Sequence, residues 1–180
     1  MTNPDCISIR EQLSQYPGSK LGFVVYRLTY ADDTRWAQFM TYLNTRIRLG
    51  LEKTGDGDLF QHIDWDVQED PTLEEAEESE VRRRFKRYLE ENSHSQHGSR
   101  AMACMTASRF EVDQNLDDGP PPEEFDTTGL SCVQLISIDP RETRSSYQMV
   151  GLSFVFPRAY SLLELGWHQI NTGPEDMFTN

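Results

Sequence analysis

The run GFVVYRLTY, residues 22–30, constrains this chain more than any other stretch. Its side chains are apolar or aromatic on both faces of an extended backbone, the pattern of a strand placed centrally in its sheet. One residue breaks the run. Arg27 carries a guanidinium that stays charged, and burying a charge without a partner is strongly unfavourable. A strand of this composition therefore predicts both a covered sheet and an acid that reaches Arg27.

The flanking segments supply the rest of an α+β chain. Asp32 and Asp33 are N-cap candidates for a helix over 34–53, in which Trp36, Phe39, Met40, Leu43, Ile47 and Leu51 recur at steps of three and four. TGDGD ends it. LFQHIDWDVQ reads as a strand, with Ile63, Trp65 and Val67 on one face and His62, Asp64 and Asp66 on the other. TLEEAEESEVRRRFKRYLEE predicts a second long helix. Thr72 and Glu75 have capping-box spacing, acids precede bases, and Val81, Phe85, Tyr88 and Leu89 form its apolar stripe. After the polar loop ENSHSQHGSR, three further strands are expected in AMACMTA (101–107), LSCVQLISI and QMVGLSFVF. A short helix around RAYSLLEL and a closing edge segment, GWHQI, follow.

Residues 1–20 read as a polar arm ending in the turn YPGSK, 21–170 as one domain, and 171–180 as a frayed tail. An acidic insertion over 113–129, richest in DDGPPPEEFDTTG, is expected to be mobile. The order of elements predicts a single mixed β-sheet with two long helices on one face. A ferredoxin-like or dimeric α/β-barrel-like arrangement is expected, because both carry a split βαβ core.

Charge narrows the partners. Thirty acids against 17 bases give a net charge of −13, which argues against nucleic acid and anionic membranes. RRRFKR (82–87) is the basic end of a helix whose acidic start neutralises it. No secretory signal stands at the N-terminus, and the longest apolar run, near MVGLSFVF, is too short for a membrane span. Cys6, Cys104 and Cys132 are odd in number, unpaired in spacing and core-like, so a reduced, cytoplasmic chain is expected. Motifs for nucleotides, flavins, serine nucleophiles, zinc and EF-hand calcium are absent, and no cofactor is expected. HSQH (94–97) reads as a surface loop.

The acids of HIDWDVQEDP, residues 62–71, are expected to be either the counter-charge for Arg27 or a plain solvated strand face. His62, Asp64 and Asp66 share one strand face, but three ligands on a straight strand spread over roughly 13 Å, too far to hold one metal ion. If the two strands flanking the first long helix are neighbours, Asp64 or Asp66 can reach Arg27. That ion pair is either structural or the polar end of a pocket walled by Tyr26, Tyr30, Trp36 and Trp65. Arg158 and Tyr160, just past a strand, are further candidates for substrate contact, with His62 beside them.

GFVVYRLTYADDTRWAQF, DLFQHIDWDVQEDP and the helix around EVRRRFKRYL resemble a large family of small, uncharacterised intracellular proteins of filamentous fungi, over roughly residues 22–90. The resemblance assigns no role to any residue. It implies a cofactor-free protein suited to natural-product biosynthesis. The expected function is a pocket for an apolar small molecule, in the narrower form a cofactor-independent cyclase or isomerase. There Arg27, Asp64 and Asp66 would polarise or deprotonate a substrate held by aromatic walls. The alternative is a non-catalytic interaction protein, a homodimer formed through an exposed sheet face.

Overall fold

The computed structural model describes residues 3–93, 97–139 and 147–170. One mixed sheet contains β1 (Val24–Arg27), β2 (Asp66–Gln68), β3 (Ala103–Ala107), β4 (Cys132–Ser137) and β5 (Tyr147–Gly151), in spatial order β2-β1-β3-β4-β5. β1 is parallel to both its neighbours, whereas β3–β4 and β4–β5 are antiparallel. The expected α+β class and single mixed sheet are what the chain forms.

The placement of the two long helices differs from expectation. The crossover from β1 through α2 (Asp33–Thr54) steps outward to β2. The crossover from β2 through α3 (Glu78–Glu91) steps back past β1 to β3. Right-handed crossovers that travel in opposite directions lay their helices on opposite faces. Phe39, Leu43 and Ile47 of α2 accordingly join the core that contains Phe23 and Val25. Val81 and Phe85 of α3 instead join Val24, Tyr26 and Leu28 on the other side. Both apolar faces of β1 are thereby covered. The finer ferredoxin-like or dimeric-barrel-like likeness is compatible with this mixed sheet and is not established by it.

The N-terminal segment is not an arm. Pro4–Gln15 forms α1, with Asn3 as N-cap and proline in the first turn. Cys6 and Ile9 are fully buried against the α2-side core, with Leu13 packed beside them. Ser161, on the short helix α6 (Tyr160–Leu163), donates to Asp5 at 2.7 Å and fastens the two chain ends.

The remaining boundaries shift for local reasons. Asp70 caps a 3-10 turn, Pro71–Leu73, by accepting from the Thr72 amide at 2.9 Å, and Glu75 takes a left-handed φ of 52°. These two turns delay α3 to Glu78, so Thr72 and Glu75 form no capping box. Ser108 and Glu111 form one instead, at the start of α4 (Arg109–Asp117). Gly57–His62 is a 3-10 turn, which leaves only Asp66–Gln68 of the expected strand as β2. β5 stops at Gly151, and the chain turns helical at α5 (Leu152–Phe154). The GWHQI segment forms a 3-10 turn, Trp167–Gln169, with Trp167 fully buried, and is no edge strand. The insertion is fastened as well. Arg46 of α2 donates to the carbonyls of Pro120, Pro121 and Glu124, and the Asp126 carboxylate accepts from the Gly129 and Ser131 amides. His94 and the tail 171–180 lie outside the described residues.

Candidate functional site

Arg27 is buried, at 5% exposure, as its strand predicts, but its partners are different acids. Its guanidinium donates to Asp33 Oδ1 at 2.5 Å, to Glu69 Oε1 at 3.1 Å and to the Thr29 carbonyl at 2.7 Å. The Tyr30 and Trp36 rings flank it, with centroids 4.6 and 5.1 Å from Cζ. Burial works against the cation, yet the hydrogen bonds and charges of Asp33 and Glu69 outweigh it and hold its pKa above the ordinary value. Tyr30 completes the corner. Its hydroxyl donates to the Arg27 carbonyl at 3.0 Å and accepts from the Asp70 amide at 2.7 Å.

The pairing of Arg27 with Asp64 or Asp66 is therefore corrected. In the parallel ladder Val24 faces Asp66 and Val25 faces Val67. Side chains alternate between faces, so Asp64 and Asp66 point to the α3 side while Arg27 points to the α2 side. The two aspartates serve another buried cation, Arg100, which is 2% exposed. Arg100 donates to the Leu21 and Asp64 carbonyls at 3.0 and 2.6 Å and to Asp64 Oδ2 at 3.1 Å, with Asp66 Oδ2 at 4.0 Å. Tyr88 of α3 donates to Asp66. Burial, followed by that bond, pushes its phenol up to about 12, so it stays a donor at neutral pH. Asp70, the last acid of the stretch, pairs with Arg84 at 2.8 Å.

The aromatic pocket expected around Arg27 does not form. Tyr26 is buried on the α3 side and so is separated by the sheet from Trp36. Trp65 donates to Asn44 of α2 at 3.0 Å and packs against Gly22, where a Cβ would meet its ring at 3.3 Å. His62 ends a 3-10 turn beside the Gln61 amide, and Arg158 sits half-exposed, 4.0 Å from Asp5. Tyr160 is fully buried between Phe23 and Phe156, with ring centroids 5.4 and 5.3 Å away. Each of these side chains has a packing or pairing role, and they do not converge.

A different crevice opens on the α3 side of the sheet. β1 and β3 are parallel neighbours, and ligands of parallel sheets bind outside the strand carboxyl ends. Here a cavity of about 770 Å³ lies beyond the carboxyl ends of β1 and β3 on the α3 side. Leu28 and Gln134 form part of its wall, Glu75 and Glu77 come from the segment that leads into α3, and Glu78 opens that helix. Arg82 of α3 also lines it, its Nε donating to the Ser137 carbonyl at 2.9 Å. At the mouth stands Phe110, 66% exposed in the first turn of α4. The left-handed turn at Glu75 is tied down by its own amide, which donates to the Leu28 carbonyl at 3.1 Å. Thr106 Oγ1 and Gln134 Oε1 share a hydrogen bond of 2.9 Å, which fixes the Gln134 amide on its strand.

The thiols offer no nucleophile. All three cysteines are buried and free. Burial, with Asp56 close by, pushes Cys6 up to about 12, and burial pushes Cys132 up to about 11. Among the described residues no three His, Cys, Asp or Glu side chains are grouped to hold a metal ion, and no helix is long and apolar enough to cross a membrane. The basic end of α3 is partly paired, through Arg83 and Arg84 to Glu80 at 2.6 and 2.8 Å. Comparison with family models, with curated proteins and with solved structures found no match for this chain.

Proposed function

We propose that this chain is a small-molecule-binding protein whose site is the crevice at the carboxyl ends of β1 and β3. The carrying observation is a cavity of about 770 Å³ beyond the carboxyl ends of the parallel pair β1 and β3, on the face that α3 covers. Its lining describes the ligand. Phe110 and Leu28 suit a flat apolar body, while the carboxylates of Glu75, Glu77 and Glu78 favour an amine or another donor group. Of the two lining arginines, Arg109 already leans on Asp113 at 3.4 Å, and Arg82 donates to a backbone carbonyl. The net field at the mouth is negative.

If the crevice catalyses, the supported class is the cofactor-independent cyclisation or isomerisation considered above, as the likeness to fungal proteins suggests. The Gln134 amide would then polarise a carbonyl and a glutamate would move the proton. The alternative, a homodimer through an exposed sheet face, would have to use the outer strands, since α2 and α3 cover both faces of β1.

A panel of aromatic amines and their neutral isosteres, followed by thermal unfolding, tests the proposal. A ligand at a hundredfold its Kd stabilises by about 2.7 kcal/mol, enough to raise Tm by several degrees. Phe110→Ala should leave the unliganded Tm nearly unchanged and weaken amine binding about tenfold, a loss in the range of one aromatic contact. A flat response across the panel at millimolar concentration, or shifts indifferent to Phe110→Ala, would refute this site.

A further inference from the structure

The third buried arginine differs from Arg27 and Arg100. Arg46 of α2 is 5% exposed, and its guanidinium donates only to neutral acceptors. These are the carbonyls of Pro120, Pro121 and Glu124 at 3.0, 3.1 and 2.8 Å, the Tyr42 hydroxyl at 2.7 Å and the Ser153 hydroxyl at 3.3 Å. Its Nε is buried with no hydrogen-bond partner. Among the described residues no carboxylate comes within the 4.0 Å of an ion pair. A desolvated cation in this state lacks both a counter-ion and an acceptor for one donor.

Arg46 also lines a cavity of about 250 Å³ between α2, the fastened insertion and the segment after β5. Ile47, Leu152, Phe125 and Phe156 make its walls apolar. Lys53 stands there too, its Nζ donating to the Glu123 carbonyl at 3.1 Å, and Glu124 is the one carboxylate in the lining. Two cations against one acid is an unusual balance in a chain of net charge −13. We infer that this cavity is a second ligand site, which takes the carboxylate of a small apolar acid. Arg46 supplies the charge and an unpartnered Nε–H donor, Lys53 draws the anion to the mouth, and the apolar walls receive the hydrocarbon body. The site is separate from the crevice, since it lies on the α2 side of the sheet.

Hexanoate and hexanamide share shape and differ in charge, so calorimetric titration of the full chain with each is the test. Saturable binding of hexanoate, at least tenfold tighter than hexanamide, is expected. Arg46 also holds the insertion, so its removal would confuse folding with binding. Gly50→Phe avoids this difficulty. Gly50 lines the cavity, and a Cβ built there meets nothing within 4 Å, so a bulky ring can be set at the cavity wall without displacing Arg46. That variant should fold and lose hexanoate binding. Lys53→Gln should weaken hexanoate several-fold and leave hexanamide unaffected, while Phe110→Ala in the crevice should change neither. Absence of saturable hexanoate binding, equal affinity for the amide, or undiminished binding in Gly50→Phe each overturns the assignment.

Discussion

Arg27 shows how burial decides which half of an ion pair matters. The guanidinium is desolvated, whereas the side chains of Asp33 and Glu69 are 87% and 54% exposed. Deleting the arginine releases two carboxylates into water and costs mainly its hydrogen bond to Thr29, about 1–2 kcal/mol. Deleting both acids leaves a charge buried without compensation, about 3–5 kcal/mol. Asp33→Asn with Glu69→Gln is therefore expected to destabilise more than Arg27→Met in urea unfolding at neutral pH. The reverse order would show that Arg27 is effectively hydrated. The burial of this residue is legible in GFVVYRLTY, because only a covered strand tolerates such neighbours. Its partner is not, since the choice between Asp66 and Glu69 depends on register. The Val24–Asp66 pairing that settles it arises from tertiary contact.

At the scale of elements, the insertion after α4 is the instructive case. Its acids, prolines and glycine look like a mobile loop, yet one buried carboxylate organises it. Asp126 accepts from the Thr128 amide and hydroxyl at 3.0 and 2.7 Å, from the Gly129 amide at 2.9 Å and from the Ser131 amide at 2.7 Å. Burial alone would raise its pKa, but these bonds outweigh burial and hold it below the ordinary 3.8. The sign follows from linkage. A depressed folded-state pKa contributes stability that is fully present above the unfolded value and is lost as pH falls through the folded one. Asp126→Asn should cost about 1–3 kcal/mol at pH 7 and flatten the decline of stability in the acid range below about pH 4. Cleavage by a glutamate-specific protease at Glu123 and Glu124 should also speed up. An unchanged acid limb would assign the acid sensitivity elsewhere. The signal was present in the sequence as an Asx-turn pattern, Asp-Thr-Thr-Gly, and α1 announced itself through Asn3-Pro4. Composition hid both, because α1 buries only a thin stripe of Cys6, Ile9 and Gln12.

At the scale of the whole molecule, one topological choice places the helices. Had β3 joined the sheet outside β2, both crossovers would have travelled the same way and both helices would share a face. Joining beside β1 reverses the second crossover, and nothing in the pattern of AMACMTA selects that edge. Electrostatics at this scale sets two effects against each other. Salt weakens exposed ion pairs such as Arg48–Glu52, each worth about 0–1 kcal/mol. Salt also screens the self-repulsion of a chain with 30 acids and 17 bases, which opposes the compact state at pH 7. The buried arginine pairs are screened least, so they hold through the change. Repulsion wins this comparison, because the acids outnumber every available cation while the exposed pairs are individually weak. Raising sodium chloride from roughly 0.02 to 0.5 M, which shortens the screening length several-fold, should add about 1 kcal/mol, or about 2–4 °C in Tm. Chloride is the right anion, since sulfate stabilises proteins by exclusion whatever their charge. A Tm that falls with salt would mean that the surface pairs, and not the excess of acids, govern the stability of this fold.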